Sequence, residues 1–204
     1  MSRGDHGSRV PAICLGVFVV VWVALAIAPR YRADWLLENI PTFVAVPAVV
    51  WLHRRFPLSD RAWVQATIFA VLHTIGSHYT YSLVPLGEWV QEAVGSPRNQ
   101  YDRVVHFSFG LLMLKAVTDL GFRPRRRPGP FGVAFFGVAG VALWSVVYEV
   151  LEWLVARVAD PAAGTAFLGT QGDPWDAEKD MACALVGSIV AATAEWAAAS
   201  RRRR

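Results

Sequence analysis

Charge is what this chain has least of. Only 18% of its 204 residues are Asp, Glu, Lys or Arg, against about 25% in an ordinary soluble domain. Hydrophobic residues make up 54%, and the mean hydropathy is +0.35, a composition that points to a membrane before any motif is read. Cysteine is scarce too. Cys14 and Cys183 both lie inside apolar runs, without CxxC or zinc-finger spacing. This excludes a disulfide framework and leaves two small packing residues. The apolar runs are too long and continuous for β-barrel alternation. No internal repeat and no long linker divides the chain, so residues 1–204 are expected to form a single integral membrane domain. HExxH, GxSxG and phosphatase signatures are absent. The net charge of +4 and pI near 9.4 do not imply nucleic acid, because no basic face is interleaved with aromatic residues.

What is present is a series of six apolar segments, at about 11–28, 35–52, 62–84, 102–120, 131–156 and 176–200. Each is close to the ~20 residues that carry a helix across ~30 Å of hydrocarbon. The expected fold is therefore an all-α, polytopic membrane helix bundle. Arginines cluster at alternate connections: Arg3 and Arg9, then Arg54, Arg55 and Arg61, then Arg123 and Arg125 to Arg127, then Arg201 to Arg204. The other connections carry most of the acids, among them Asp34, Glu88, Glu92, Asp160, Asp173, Asp176 and Glu178. The positive-inside bias then places both termini in the cytoplasm and the acidic connections outside. Trp35, Trp89, Trp153 and Trp175 fall near outer ends, and Trp51, Trp63 and Trp196 near inner ends, as in an interfacial aromatic belt. The first segment, with "ALAIA" near its end, has a competing reading as a signal peptide. Its apolar run exceeds the usual ~7–15-residue signal core, and an uncleaved first helix is expected. In this topology Cys14 and Cys183 sit at opposite depths, beyond the ~5.5 Å Cα separation of a disulfide.

The ionisable residues are not scattered by depth. "LHTIGSHYTYS" carries His73, His78 and Tyr81; "NQYDRVVHFSFG" carries Asp102 and His106, four apart and so on one helix face. "LWSVVYEVLEW" carries Glu149 and Glu152, and "GTQGDPWDAEKDM" carries Asp173, Asp176, Glu178 and Asp180. "WLLEN" adds Glu38. All belong to the outer half, and intramembrane ionisable groups normally face the bundle interior and pair. The inner half offers only Lys115 and Asp119, able to pair or to snorkel. One outward-opening polar cluster from five helices is expected.

Three imidazoles with several carboxylates suit a divalent cation such as zinc, manganese or magnesium, and i,i+3 and i,i+4 pairs on facing helices are how bundles build such sites. His106, Asp102, Glu149 and Asp180 are the candidate ligands. Glu149, Asp180 and His106 are the candidate acid–base groups. His73, His78, Tyr81, Glu152, Asp176 and Glu38 are the candidate substrate-contacting or supporting residues. A metal-bound water there could cleave an ester, amide or phosphoester, with an envelope or lipid-linked molecule as partner beside the bilayer itself. His73 and His78 are i,i+5, so a regular helix points their rings roughly 140° apart, and one ion is not expected to take both. Asp173, Asp176 and Glu178 are expected in a watery loop or helix cap, with Asp180 one turn further in. Alternatives remain open: the acids are helix caps, Arg103 pairs with Glu152 or Asp180, and the cluster only joins helices. A small transporter would need a polar path to the inner side, which the sequence does not show.

Those four stretches together resemble the YjdF-like family of bacterial inner-membrane proteins, from the second segment to the sixth. The resemblance implies a multi-pass protein of the inner membrane and no particular activity. More weakly, Asp102-x-x-x-His106, the Glu149/Glu152 pair and the acidic segment followed by Gly187 resemble the VanZ-like family, linked to glycopeptide-antibiotic resistance. That family typically has Glu-x-x-Gln where this chain has Glu149-x-x-Glu152.

Overall fold

Apolar runs bounded by caps and prolines fold as helices throughout the computed structural model, which describes residues 8–122, 128–158 and 169–201. There are seven helices among the described residues: α1 (Val10–Ala26), α2 (Arg32–Arg55), α3 (Asp60–His78), α4 (Pro85–Val94), α5 (Tyr101–Gly121), α6 (Pro130–Val158) and α7 (Asp176–Arg201). Pro11 sits in the first turn of α1 and Pro85 opens α4, where a missing N–H costs nothing. Ser59 caps α3, its side chain accepting from Ala62 N. Four helices, α2, α5, α6 and α7, are long and apolar enough to cross a membrane.

One expected segment divides. The stretch 62–84 was expected to run as a single helix, but α3 stops at His78. Thr80 and Tyr81 take positive φ, at 59° and 45°, which no continuing helix tolerates. The chain folds back, with Tyr81 N donating to Gly76 O at 2.7 Å. The Tyr81 ring lies against Gly76, where an added Cβ would come within 2.6 Å of it. The left-handed positions are not glycines, so the usual turn signal is missing from the sequence. The short α4 follows.

The centre of the bundle is α5. It packs most extensively on α7, and also on α3 and α6; α6 packs on α7, α1 on α3, and α2 only lightly on α3. The α5–α7 contact is at backbone distance. A Cβ on Gly110 would collide with Ala184 O, and one on Gly187 with Phe107 O, the small-residue approach typical of membrane helices. Where the bundle buries side chains completely they are mostly small and polar: Asn39, Asn99, Thr74, Ser77, Ser145 and Ser188, beside Val141. The exterior is the reverse, with Val20, Phe131, Phe135, Trp144 and Val186 exposed. An apolar surface around a polar interior is stable in lipid and costly in water. At the end away from the acids, Lys115 pairs with Asp119, which also accepts from Ser59 Oγ at 2.7 Å. Cys14 and Cys183 are both free thiols.

Candidate functional site

The first turns of α5 and α7 enter the bundle side by side, and the segments before them are tied together. Asn99 N donates to Gln171 Oε1 at 2.9 Å, and Gln171 Nε2 donates back to Asn99 O at 3.2 Å. The loop before α7 turns sharply at Gly169, Gln171 and Gly172, all at positive φ. Asp173 then accepts from Trp175 N at 3.1 Å and from Lys179 Nζ at 2.7 Å. The Lys179 ammonium, followed by the Trp175 amide, holds the Asp173 carboxyl below the ordinary carboxylate range.

Two arginines interleave with the aspartates. Arg103 forms an ion pair through Nη1 with Asp180 Oδ2 and donates from Nη2 to Asp176 Oδ1, both at 2.6 Å, and lies 3.2 Å from Asp173. Arg98 pairs with the same Asp176 oxygen and lies 3.9 Å from Asp102. Its side chain is only 7% exposed, and its Nε and Nη2 have no hydrogen-bond partner. Asp176 is therefore buried between two guanidiniums, which corrects the expectation of a watery cap. Glu178 is exposed as expected.

Beyond the arginines, ligating atoms of Asp102, His106 and Asp180 lie within 4.8 Å of one another. His106 Nε2 is 3.5 Å from Asp102 Oδ1 and 3.7 Å from Glu149 Oε1. The Glu149 side chain is 9% exposed. Glu149 Oε1 and Asp180 Oδ1 are both buried without a hydrogen-bond partner, which is costly for a carboxylate in a dry site. Glu149, Glu152 and Tyr148 of α6 are near enough to act on one another electrostatically. The ring of His106 meets that of Tyr148 edge to face, 6.0 Å between centroids.

The model of a predicted membrane protein family, DUF2238, matches residues 10–201. The chain belongs to that family. It is also 34% identical over 170 residues, 83% of this chain and 81% of the relative, to the inner membrane protein YjdF of Escherichia coli strain K12. No solved structure matches it. Its apolar helices and this kinship make it a multi-pass inner-membrane protein.

In this DUF2238 chain the remaining candidate residues divide. Glu38 is buried, its Oε2 without a partner, and it acts electrostatically on Asp102. His73 sits between Tyr81 OH, at 2.5 Å, and Glu38 O, at 3.1 Å. His78 points elsewhere, its Nδ1 2.7 Å from Leu25 O of the chain just inside the end of α1. The two histidines of α3 therefore serve different neighbours, as their spacing demands. Arg98 escaped the sequence reading, as did Gln171, Asn99 and Tyr148. The available signal was positional: Arg98 and Arg103 lie in a connection and helix end where the basic residues should be few. Beside the donor set, Glu149, Trp153, Thr170, Asp173, Pro174 and Asp176 help line a cleft of ≈ 410 Å³, within the size range of small-molecule sites.

Proposed function

We propose that this inner-membrane protein holds a divalent cation at Asp102, His106 and Asp180, with Glu149 as a fourth donor, and acts on an envelope or lipid-linked substrate admitted through the adjoining cleft. The observation that carries the reading is the convergence of the three donor atoms within 4.8 Å. It is reinforced by two buried carboxylate oxygens, on Glu149 and Asp180, that lack any hydrogen-bond partner. Two carboxylates, one imidazole and a further carboxylate suit zinc, or manganese where oxygen predominates. A bound cation would supply Lewis-acid chemistry toward an ester or phosphoester. In this reading Glu149, at the boundary of donor set and cleft, takes or returns a proton, with Glu152 and Tyr148 beside it. In this reading six helices cross the membrane as one domain, the termini are cytoplasmic, and the site opens outward, following the arginine bias of the connections.

The test is metal analysis of protein purified in mild detergent, together with calorimetric titration by Mn²⁺ and Zn²⁺. Near-stoichiometric binding that falls at least tenfold in His106→Ala and Asp180→Asn supports the reading. Equal, weak binding by the wild type and both variants, with all three folded, sinks it.

A second reading has its own support. Asp176 and Asp180 both have an arginine partner, and interhelical ion pairs of this kind can serve only to join helices. In that case the cluster binds no cation, and loss of either arginine harms assembly alone.

A further inference from the structure

Helix α4 is ten residues long and packs into the bundle through little more than Gly87, its one buried residue. At ~100° per residue, Leu86, Trp89, Val90 and Val94 fall within an arc of about 140°. Glu88, Gln91 and Glu92 fill the opposite arc. The apolar stripe is uncovered: Leu86 is 59% exposed, Trp89 69%, Val90 43% and Val94 68%. The helix is nonetheless firmly held. It starts at Pro85 and ends at Gly95, in the left-handed conformation with φ 64°. Asn99 Nδ2 donates to Val84 O at 3.0 Å, and the Asn99 amide lies so close over Gly87 that no Cβ would fit. A short, firmly held helix thus presents four apolar side chains that nothing among the described residues covers.

We propose that α4 lies in the bilayer interface, with Leu86, Trp89, Val90 and Val94 inserted at the level where lipid headgroups meet acyl chains. Three observations favour lipid over a protein partner. The chain is an inner-membrane protein, and α4 leads within seven residues into α5, a helix long and apolar enough to cross the membrane, so α4 sits at a membrane surface. Its stripe is centred near an exposed tryptophan, the residue enriched at that depth, and its polar arc carries two acids that would face water. Its face is also small. Ten residues span ~15 Å by ~10 Å, on the order of 150 Å², far below the ~800 Å² per partner of a stable protein interface.

The experiment uses the full chain in liposomes of phosphatidylethanolamine and phosphatidylglycerol, in a Cys14→Ala, Cys183→Ala background. Single cysteines at Leu86, Trp89, Val90 and Val94, and at Glu88, Gln91 and Glu92, carry a nitroxide. Accessibility to oxygen and to a water-soluble nickel chelate is measured for each. The expected result is oxygen accessibility above nickel accessibility at the four stripe positions and the reverse at the three polar ones. Two results overturn the proposal: a stripe as open to nickel as the polar arc, or a stripe closed to both reagents, as a second copy or another protein would make it. Wild-type elution of each labelled variant establishes that it is folded, and several positions per face keep the comparison valid if one label fails.

Discussion

Arg103 forms an ion pair with Asp180 at 2.6 Å, occupying a carboxylate of the proposed Asp102–His106–Asp180 donor set. A cation bound as proposed would therefore compete with the guanidinium for one residue. Arg103→Gln is expected to lower the stability of the metal-free protein by about 3 kcal/mol, the usual cost of leaving a buried acid unpaired. Mn²⁺ is then expected to raise the melting temperature of the variant more than that of the wild type. Thermal unfolding with and without Mn²⁺ checks this, and an equal or smaller shift in the variant speaks against a cation at Asp180.

Gly110 and Gly187 are expected to tolerate no side chain. The atoms that Cβ would strike are backbone carbonyls of Ala184 and Phe107, which cannot swing aside as a flexible side chain would. Gly110→Ala and Gly187→Ala should each cost about 3 kcal/mol by overpacking and weaken metal binding, since this contact sets the spacing of α5 from α7. Gly16→Ala is the control. Nothing lies within 4 Å of a Cβ there, and alanine in a helix is better than glycine by ~1 kcal/mol. Equal melting temperatures for all three variants would remove the argument.

Asp173 gives the pH dependence a sign. Its carboxyl is held below the ordinary range by Lys179 first and the Trp175 amide second. A depressed folded value means the contribution is present above the unfolded value of ~4 and is lost as pH falls through the folded one. Asp173→Asn should therefore melt slightly below the wild type at pH 7, with the gap closing below about pH 4. A gap that persists or widens on acidification contradicts the assignment.

Topology can be read by labelling. Single cysteines at Ser8 and Ser200 should react with an impermeant maleimide only in inside-out vesicles, and one at Ser96 only in intact spheroplasts. Any of the three on the opposite side would break the proposed six-crossing arrangement.

Much of the architecture was legible because the helices are written in long apolar runs, and six expected segments correspond to α1, α2, α3, α5, α6 and α7. The break after His78 was not, since Thr80 and Tyr81 adopt left-handed conformations without glycine. Contacts from the Tyr81 side chain to His73 and against Gly76 hold that turn. Asp102, His106 and Asp180 could be proposed as neighbours from helical spacing and depth. So could the pairing of Arg103 with Asp180, one of the alternatives left open, which the structure shows; the burial of Arg98 could not. Arg98 looks like a loop residue in "SPRNQYDR" until the chain folds and buries it against Asp176, an acid 78 positions away. Spacing along one helix is local information, whereas the pairing of charges across helices depends on how closely two backbones approach.

That close approach has a mechanical side. Between α5 and α7 there is no room for a side chain at Gly110 or Gly187, and Asn99 and Gln171 latch the two approaches together. The pair forms one stiff wall bearing Asp102, His106 and Asp180. Glu149 and Trp153 stand on α6, which meets that wall through side chains, Gly137 against Leu114 and Gly140 against Val117. Side-chain seams slide more readily than backbone seams, so a widening of the cleft is expected as a tilt of α6, carrying Glu149 away while Asp102, His106 and Asp180 keep their spacing.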